Sequence, residues 1–197
     1  MHIRSRVEYL RKGSKLRKLI LTSAGFDNRK IRDKFIELID KKPNSIKVLF
    51  IPTAAVTESQ KDIIPLCKNE LIDIGIHETH ITSYDFEQPM TLDEMLVFDA
   101  IYVCGGSTKY LLEKMNNGYL PLENYLNQGG VYLGVSAGSI AMTTTHENGL
   151  GYIDCHLKVH RQKGSLNGSI DLNQVDTIAL TDDQAIVVVD QSVQIFQ

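Results

Sequence analysis

The sequence predicts an α/β protein: a three-layer α/β/α sandwich with a mostly parallel central sheet and a C-terminal edge hairpin. Short, continuously apolar segments such as Val48–Ile51 are typical of strands buried on both faces of a parallel sheet. These segments alternate with stretches of helical periodicity, as crossover helices between parallel strands do. The length of 197 residues is enough for one domain with a substantial core and too short for two ordinary domains.

The first half of the chain contains the clearest alternation of strand and helix. A strand is predicted at residues 19–21, and a helix at 29–40, where Ile31, Phe35 and Leu38 recur at helical spacing. The elements predicted after them are, in order, the strand Val48–Ile51, a helix at 58–74, a weaker strand at 80–84, a short helix at 92–97 and the strand Ala100–Val103.

The second half begins with the same alternation and then loses it. Helices are predicted at 108–116 and Leu122–Asn127, a strand at Val131–Val135 and a helix at 137–142. Residues 147–176 are rich in polar residues and glycine and have no clear period. Strands are predicted again at 177–180, 184–190 and 192–196. We expect the pair joined by residues 181–183 to form the hairpin at the edge of the sheet.

Composition excludes several classes of function. Hydrophobic residues make up 43% and charged residues 23%, as in soluble globular proteins. The net charge of −3 does not favour nucleic-acid binding, and the apolar runs are far shorter than the ~20 residues of a membrane-spanning helix. Three unclustered cysteines indicate neither a disulfide framework nor a zinc site. We therefore expect a cytoplasmic protein without metal or cofactor.

The N-terminus differs in charge from the rest of the chain. Residues 1–18 carry a net charge of +6, whereas the remainder carries −9. No apolar stretch follows these charges, so a secretory signal is not predicted. A nucleic-acid or membrane arm is one interpretation, but we expect a loosely ordered basic extension, followed by a single domain at residues 19–197.

The segment Gly134-Val135-Ser136-Ala137-Gly138 is the candidate site. It has the pattern Gly-x-Ser-x-Gly and lies between a predicted buried strand and a predicted helix, the context of a nucleophile elbow. There the serine hydroxyl projects above the sheet edge, and the amide of Ala137 at the helix N-terminus can stabilise a developing oxyanion. Glycines that only ease strand–helix packing or cradle a phosphate are the structural alternative.

A serine nucleophile needs a base, an acid behind that base and a second oxyanion donor. Three histidines follow Ser136 in the irregular stretch, and spacing alone does not choose among His146, His156 and His160. The acid is equally open among Asp154, Asp171, Asp176, Asp182 and Asp183. The second donor is expected in residues 104–108, which directly follow another predicted strand, although Ser107 there could simply cap a helix.

Four segments taken together resemble a known family. "IYVCGGSTKYLL", "GGVYLGVSAGS", "GLGYIDCHLKVH" and "IALTDDQAIVV" occur in this order, and they are similar to segments of the peptidase E family. That family includes aspartyl dipeptidases and cyanophycinase-like serine peptidases on a class I glutamine amidotransferase-like fold. The resemblance covers residues 19–189, nearly the whole chain.

The resemblance implies a role for individual residues. Ser136 matches the family's nucleophile, and Gly106 and Ala137 match the two amides of its oxyanion hole. His160 falls at the position of the family's histidine, with His156 as the lesser alternative. Asp182 falls at the position of the acid, which is commonly Glu in the family.

Substrate recognition follows the family pattern less closely. Ser107 stands where the family usually has Asn, and Arg161 and Lys163 are the cations nearest to its substrate-binding position. The resemblance implies a serine peptidase or amidohydrolase that cleaves a dipeptide or short, possibly aspartyl, peptide through an acyl-enzyme, acting as a monomer or homodimer. The alternative is a catalytically idle family member that binds a ligand or partner.

Overall fold

A computed structural model describes residues 17–197. Within this part of the chain the strands are β1 (Lys18–Thr22), β2 (Val48–Ile51), β3 (Ile81–Ser83), β4 (Ala100–Val103), β5 (Val131–Val135), β6 (His156–Lys158), β7 (Gly168–Ser169), β8 (Thr177–Ala179), β9 (Ala185–Val189) and β10 (Ser192–Phe196). The α-helices are α1 (Arg29–Ile39), α2 (Glu58–Lys61), α3 (Ile64–Asp73), α4 (Leu92–Met95), α5 (Thr108–Met115), α6 (Leu122–Asn127) and α7 (Ala137–Ala141).

The main sheet has the strand order β3-β2-β4-β5-β1-β9-β10-β7 in the described residues. The five strands from β3 to β1 are parallel, and β9 joins β1 in antiparallel orientation. β9 and β10 form the C-terminal hairpin, beyond which β7 pairs with β10. The fold class predicted from the sequence is therefore confirmed.

Side chains that alternate along the strands form two cores, one on each face of the sheet. Ile20, Phe50 and Leu133 face helices α1 and α3. On the opposite face, Leu21 and Leu49 pack in a cluster to which α5, α6 and α7 contribute buried residues. Because both faces are covered, the strands are apolar at nearly every position, and burying each large side chain contributes about 1.5–3 kcal/mol.

The predicted helix at 58–74 is divided in the structure. α2 ends at Lys61, and α3 begins at Ile64 with Pro65 in its first turn. Proline lacks the N–H that a continuous helix would use and is tolerated at the start of a new one. The prediction of one continuous helix was therefore wrong, and Pro65 is the residue in the sequence that explains the division.

The predicted pairing of the hairpin is also corrected. β8 does not pair with β9; it pairs in parallel with β6 in a separate two-stranded sheet. β8 has only Ile178 fully buried, whereas β9 is buried from Ala185 to Val188 and occupies an interior position between β1 and β10. The hairpin therefore consists of the last two strands, and the turn containing Asp182 leads from the small sheet into the large one.

The predicted basic extension lies outside the described residues, except for Arg17 and Lys18, the latter beginning β1. No α-helix in the described range has both the length and the apolar character needed to cross a membrane.

Candidate active site

The parallel strands bring four chain segments to one edge of the sheet. In the register of the sheet, Thr22 is opposite Val135, and Val103 is opposite both Gly134 and Ile51. The strands therefore end level with one another, and the residues that follow them share the carboxyl edge. β9 runs in the opposite direction and starts at this edge, since Ala185 is opposite Thr22.

Ser136 occupies a sharp turn between β5 and α7. Its φ of 48° and ψ of −102° lie outside the conformations that non-glycine residues normally adopt. Its N–H donates to Thr22 O at 3.0 Å, and its own carbonyl accepts the N–H of Ile140 at 2.9 Å. A Cβ added to Gly134 would lie 2.6 Å from the carbonyl carbon of Gly138, so the close approach of strand and helix requires glycine there.

A continuous line of hydrogen bonds runs from Ser136 to Asp182. Nε2 of His160 lies 3.1 Å from Ser136 Oγ, and its Nδ1 lies 2.7 Å from Oδ1 of Asp182. Of the histidines that the structure describes, His160 is the one that contacts Ser136. The sequence alone left three histidines and five aspartates open, and the geometry brings together the pair that the family resemblance implied.

The other candidates are engaged elsewhere. His156 is exposed on β6, where its backbone N–H donates to the backbone carbonyl of Asp176 at 2.7 Å. His146 lines a surface groove of about 550 Å³ beside α5. Asp171 accepts from Asn173 at 2.9 Å. Asp154 accepts the Thr144 hydroxyl at 3.1 Å, and Asp183 accepts from Thr181 and Gln197.

Ser23 is a contact that the sequence reasoning missed. It follows β1 directly, is fully buried, and its Oγ donates to Oδ1 of Asp182 at 2.8 Å. Ser23 Oγ also accepts the backbone N–H of His160 at 2.7 Å. Its position at the carboxyl end of a predicted parallel strand was the available signal, because residues there meet at the site.

The surroundings of Asp182 favour the ionised form of its carboxyl group. The hydrogen bond from Ser23, and then that from His160, hold the pKa of the Asp182 carboxyl below its usual range. The side chains of His160 and Asp182 remain about half exposed, at 52% and 55%. The histidine–carboxylate pair is thus ionisable, hydrogen-bonded and open to solvent, an arrangement that can accept a proton from Ser136.

The glycine loop after β4 lies against Ser136. A Cβ placed on Gly105 would be 3.3 Å from Ser136 Cβ and 3.9 Å from its Oγ. Gly106 has a φ of +139°, and a Cβ on it would lie 2.1 Å from Ala54 O, which already accepts the N–H of Ser107 at 2.7 Å. Only glycine fits this conformation. Ala137 begins α7 and is buried beside the serine.

The three predicted substrate-binding residues are less closely tied to the site. Ser107 is the N-cap of α5, with its hydroxyl accepting the N–H of Tyr110 at 3.3 Å. Arg161 and Lys163 are exposed in the loop after His160. The backbone N–H of Arg161 donates to Leu180 O at 2.9 Å. No group of three or more potential metal ligands occurs in the part of the chain that the structure describes.

Comparison with solved structures identifies the fold. The chain is similar to a peptidase from an acI-B1 Actinobacterium, with 21% identity, a TM-score of 0.64 and coverage of 95% of this chain and 90% of that one. It is also similar to a Listeria monocytogenes EGD-e protein with a provisional peptidase E assignment, with 20% identity, a TM-score of 0.68 and coverage of 92% and 98%. Both likenesses establish the peptidase E-like α/β fold.

The chain belongs to peptidase family S51, whose family model matches residues 19–167. It is therefore a protein of a peptidase family, and the predicted resemblance to the peptidase E family is confirmed. The comparison with curated proteins found no match.

Proposed function

We propose that the protein is a serine peptidase that cleaves a dipeptide or short peptide through an acyl-enzyme on Ser136. The observation that carries the proposal is the hydrogen-bonded line from Ser136 through His160 to Asp182, with distances of 3.1 and 2.7 Å. Membership of peptidase family S51 supports the hydrolase class. The open position of His160 and Asp182 leaves the reacting groups accessible to a small substrate.

In the proposed mechanism, Ser136 Oγ attacks the scissile carbonyl while Nε2 of His160 takes its proton. Asp182 accepts a hydrogen bond from Nδ1, keeps the imidazole in the tautomer whose Nε2 is free, and stabilises the imidazolium that forms. His160 then protonates the leaving amine, and the acyl group remains on Ser136. Water, activated by the same imidazole, attacks the ester and releases the acid.

The amides of Gly106 and Ala137 are assigned to the oxyanion of the tetrahedral intermediate. The contact of the glycine loop with Ser136 and the start of α7 directly after the serine support this assignment. Loss of one such donor typically costs about 2.7–4 kcal/mol of transition-state stabilisation. Arg161 and Lys163 are the proposed cations for an acidic substrate group, because they follow His160 in an exposed loop.

The test is reaction with a fluorophosphonate probe, together with hydrolysis of a panel of Asp-X and X-Asp dipeptides. We expect the wild-type protein to be labelled and Ser136→Ala to be unlabelled and inactive. Ser83→Ala is the matched control, since Ser83 also lies at the carboxyl end of a parallel strand and its side chain is exposed. Folded wild-type protein that neither reacts nor hydrolyses any peptide would support a binding module and refute the peptidase.

A further inference from the structure

Ser23 has a position that the proposed mechanism does not yet use. It is fully buried at the carboxyl end of β1. Its Oγ lies 2.7 Å from His160 N, 2.8 Å from Asp182 Oδ1 and 3.3 Å from His160 Nδ1. One small side chain therefore contacts both the main chain of the candidate base and the carboxylate of the candidate acid.

The number of protons determines the direction of each hydrogen bond. The backbone N–H of His160 can only donate, so Ser23 Oγ accepts it and has a single proton left to give. Ionised Asp182 is the stronger acceptor and the nearer one. Its Oδ1 then receives two donors, the Ser23 hydroxyl and Nδ1–H of His160. The opposite tautomer would bring the Nδ1 lone pair within 2.7 Å of the same carboxylate oxygen.

The main chain of His160 also depends on this contact. Its φ is 54°, in the left-handed region that residues other than glycine seldom occupy. Such a conformation persists where surrounding contacts hold it. The N–H of His160 is held by Ser23 at 2.7 Å, and the adjacent N–H of Arg161 is held by Leu180 O at 2.9 Å. These two bonds fix the direction in which the imidazole leaves the chain.

We propose that Ser23 is a positioning residue that orients His160 and Asp182 toward Ser136; this inference rests on the proposed peptidase function. Within residues 17–197, Ser23 forms hydrogen bonds with Asp182 and with N and Nδ1 of His160, and none with Ser136 or Nε2 of His160. It acts by fixing the backbone of the base and the carboxylate of the acid in one arrangement.

The pKa of Asp182 reflects the same hydrogen bond. The hydrogen bond from Ser23 is the largest of the contributions that lower this pKa, ahead of the hydrogen bond from His160 and its charge. Without Ser23, the carboxylate loses a donor that favours its ionised form, so its pKa rises.

The experiment compares Ser23→Ala with wild type in kinetics and in a carboxyl titration. Hydrogen bonds to charged groups support an expected fall in kcat of about 10- to 100-fold, with KM changed by less than about threefold, because substrate contacts remain. The Asp182 carboxyl resonance, measured by ¹³C NMR and assigned with Asp182→Asn, should titrate at higher pH in Ser23→Ala. If Ser23→Ala does not fold, Ser23→Cys keeps the shape with a weaker donor and replaces it.

The control is Thr143→Val, which removes another buried hydroxyl. The hydrogen bonds of this hydroxyl are to Ile140 and Thr145 and not to Ser23, Ser136, His160 or Asp182. Thr143→Val should leave both readouts at wild-type values. A kcat for Ser23→Ala within threefold of wild type, or an unchanged Asp182 titration, would overturn the inference. Inactive wild-type protein would instead refute the peptidase, and the titration would still decide whether Ser23 acts on Asp182.

Discussion

Gly106 offers the sharpest test of the assigned oxyanion hole. Its φ of +139° is strained for any other residue, and a Cβ there would lie 2.1 Å from Ala54 O. Real Cβ contacts essentially never fall below 3.0 Å, so Gly106→Ala must displace one of the two chain segments. The N–H of Ser107, next to Gly106, donates to Ala54 O at 2.7 Å and joins the two segments. Displacing either segment therefore strains this bond and disturbs the Gly106 loop and its amide.

The size of the effect follows from the role of that amide. Loss of one oxyanion donor in other enzymes lowers kcat by about 10²–10³, or ~2.7–4 kcal/mol. A residue other than glycine in such a backbone conformation adds a stability cost of about 1–3 kcal/mol. We therefore expect Gly106→Ala to lower kcat by at least about 100-fold and to lower the Tm by several degrees.

Gly118→Ala is the matched control for backbone strain. Gly118 also has a positive φ, of +78°, but a Cβ there would meet nothing within 4 Å. Gly118→Ala should lose stability only through the backbone strain of a non-glycine residue at positive φ, and it should keep wild-type kcat. The assay is hydrolysis of the preferred dipeptide from the panel, with Tm measured by differential scanning calorimetry. A kcat for Gly106→Ala within threefold of wild type would refute the assignment of this amide.

Two further predictions concern carboxylates. Asp182→Asn should lower kcat by about 10²–10⁴, because an amide no longer fixes the imidazole tautomer. Asp183→Asn is the control, because the Asp183 carboxylate contacts Thr181 and Gln197 instead. Equal kcat values for the two variants would contradict the role of Asp182. Burial raises the pKa of Glu70 above 4.5, so its contribution to stability is present below pH 4.5 and is lost as the pH rises through the folded-state pKa. In urea denaturation from pH 4 to 8, the free energy of unfolding of wild type relative to Glu70→Gln should therefore fall with rising pH, and a constant difference would contradict this.

The sequence predicted the parallel part of the sheet well for a physical reason. Strands such as Val48–Ile51 and Ala100–Val103 are buried on both faces, so every position is apolar. Such a strand can be recognised without knowing which of its residues face which side of the sheet. The elbow was also predictable, because the glycines around Ser136 are required by close backbone contacts that leave a local pattern.

The remaining features depend on contacts that are distant in sequence. Hydrophobic pattern alone did not show that β8 pairs with β6, because a two-stranded sheet of three-residue strands buries little apolar surface. His160 was identified through the family resemblance and not by spacing. Ser23 lies 137 residues before His160 and 159 before Asp182, and the pairing of β9 with β1 brings the turn that contains Asp182 beside Ser23.

The antiparallel insertion of β9 beside β1 has a consequence for the newly made chain. Asp182 lies in the turn before β9, so the acid reaches the serine and histidine only after the chain has been made through β9 and this strand has paired with β1. Chains shortened before Thr181 would carry Ser136 and His160 without the carboxylate that orients the imidazole. If the proposed mechanism holds, such fragments should remain unlabelled by the fluorophosphonate.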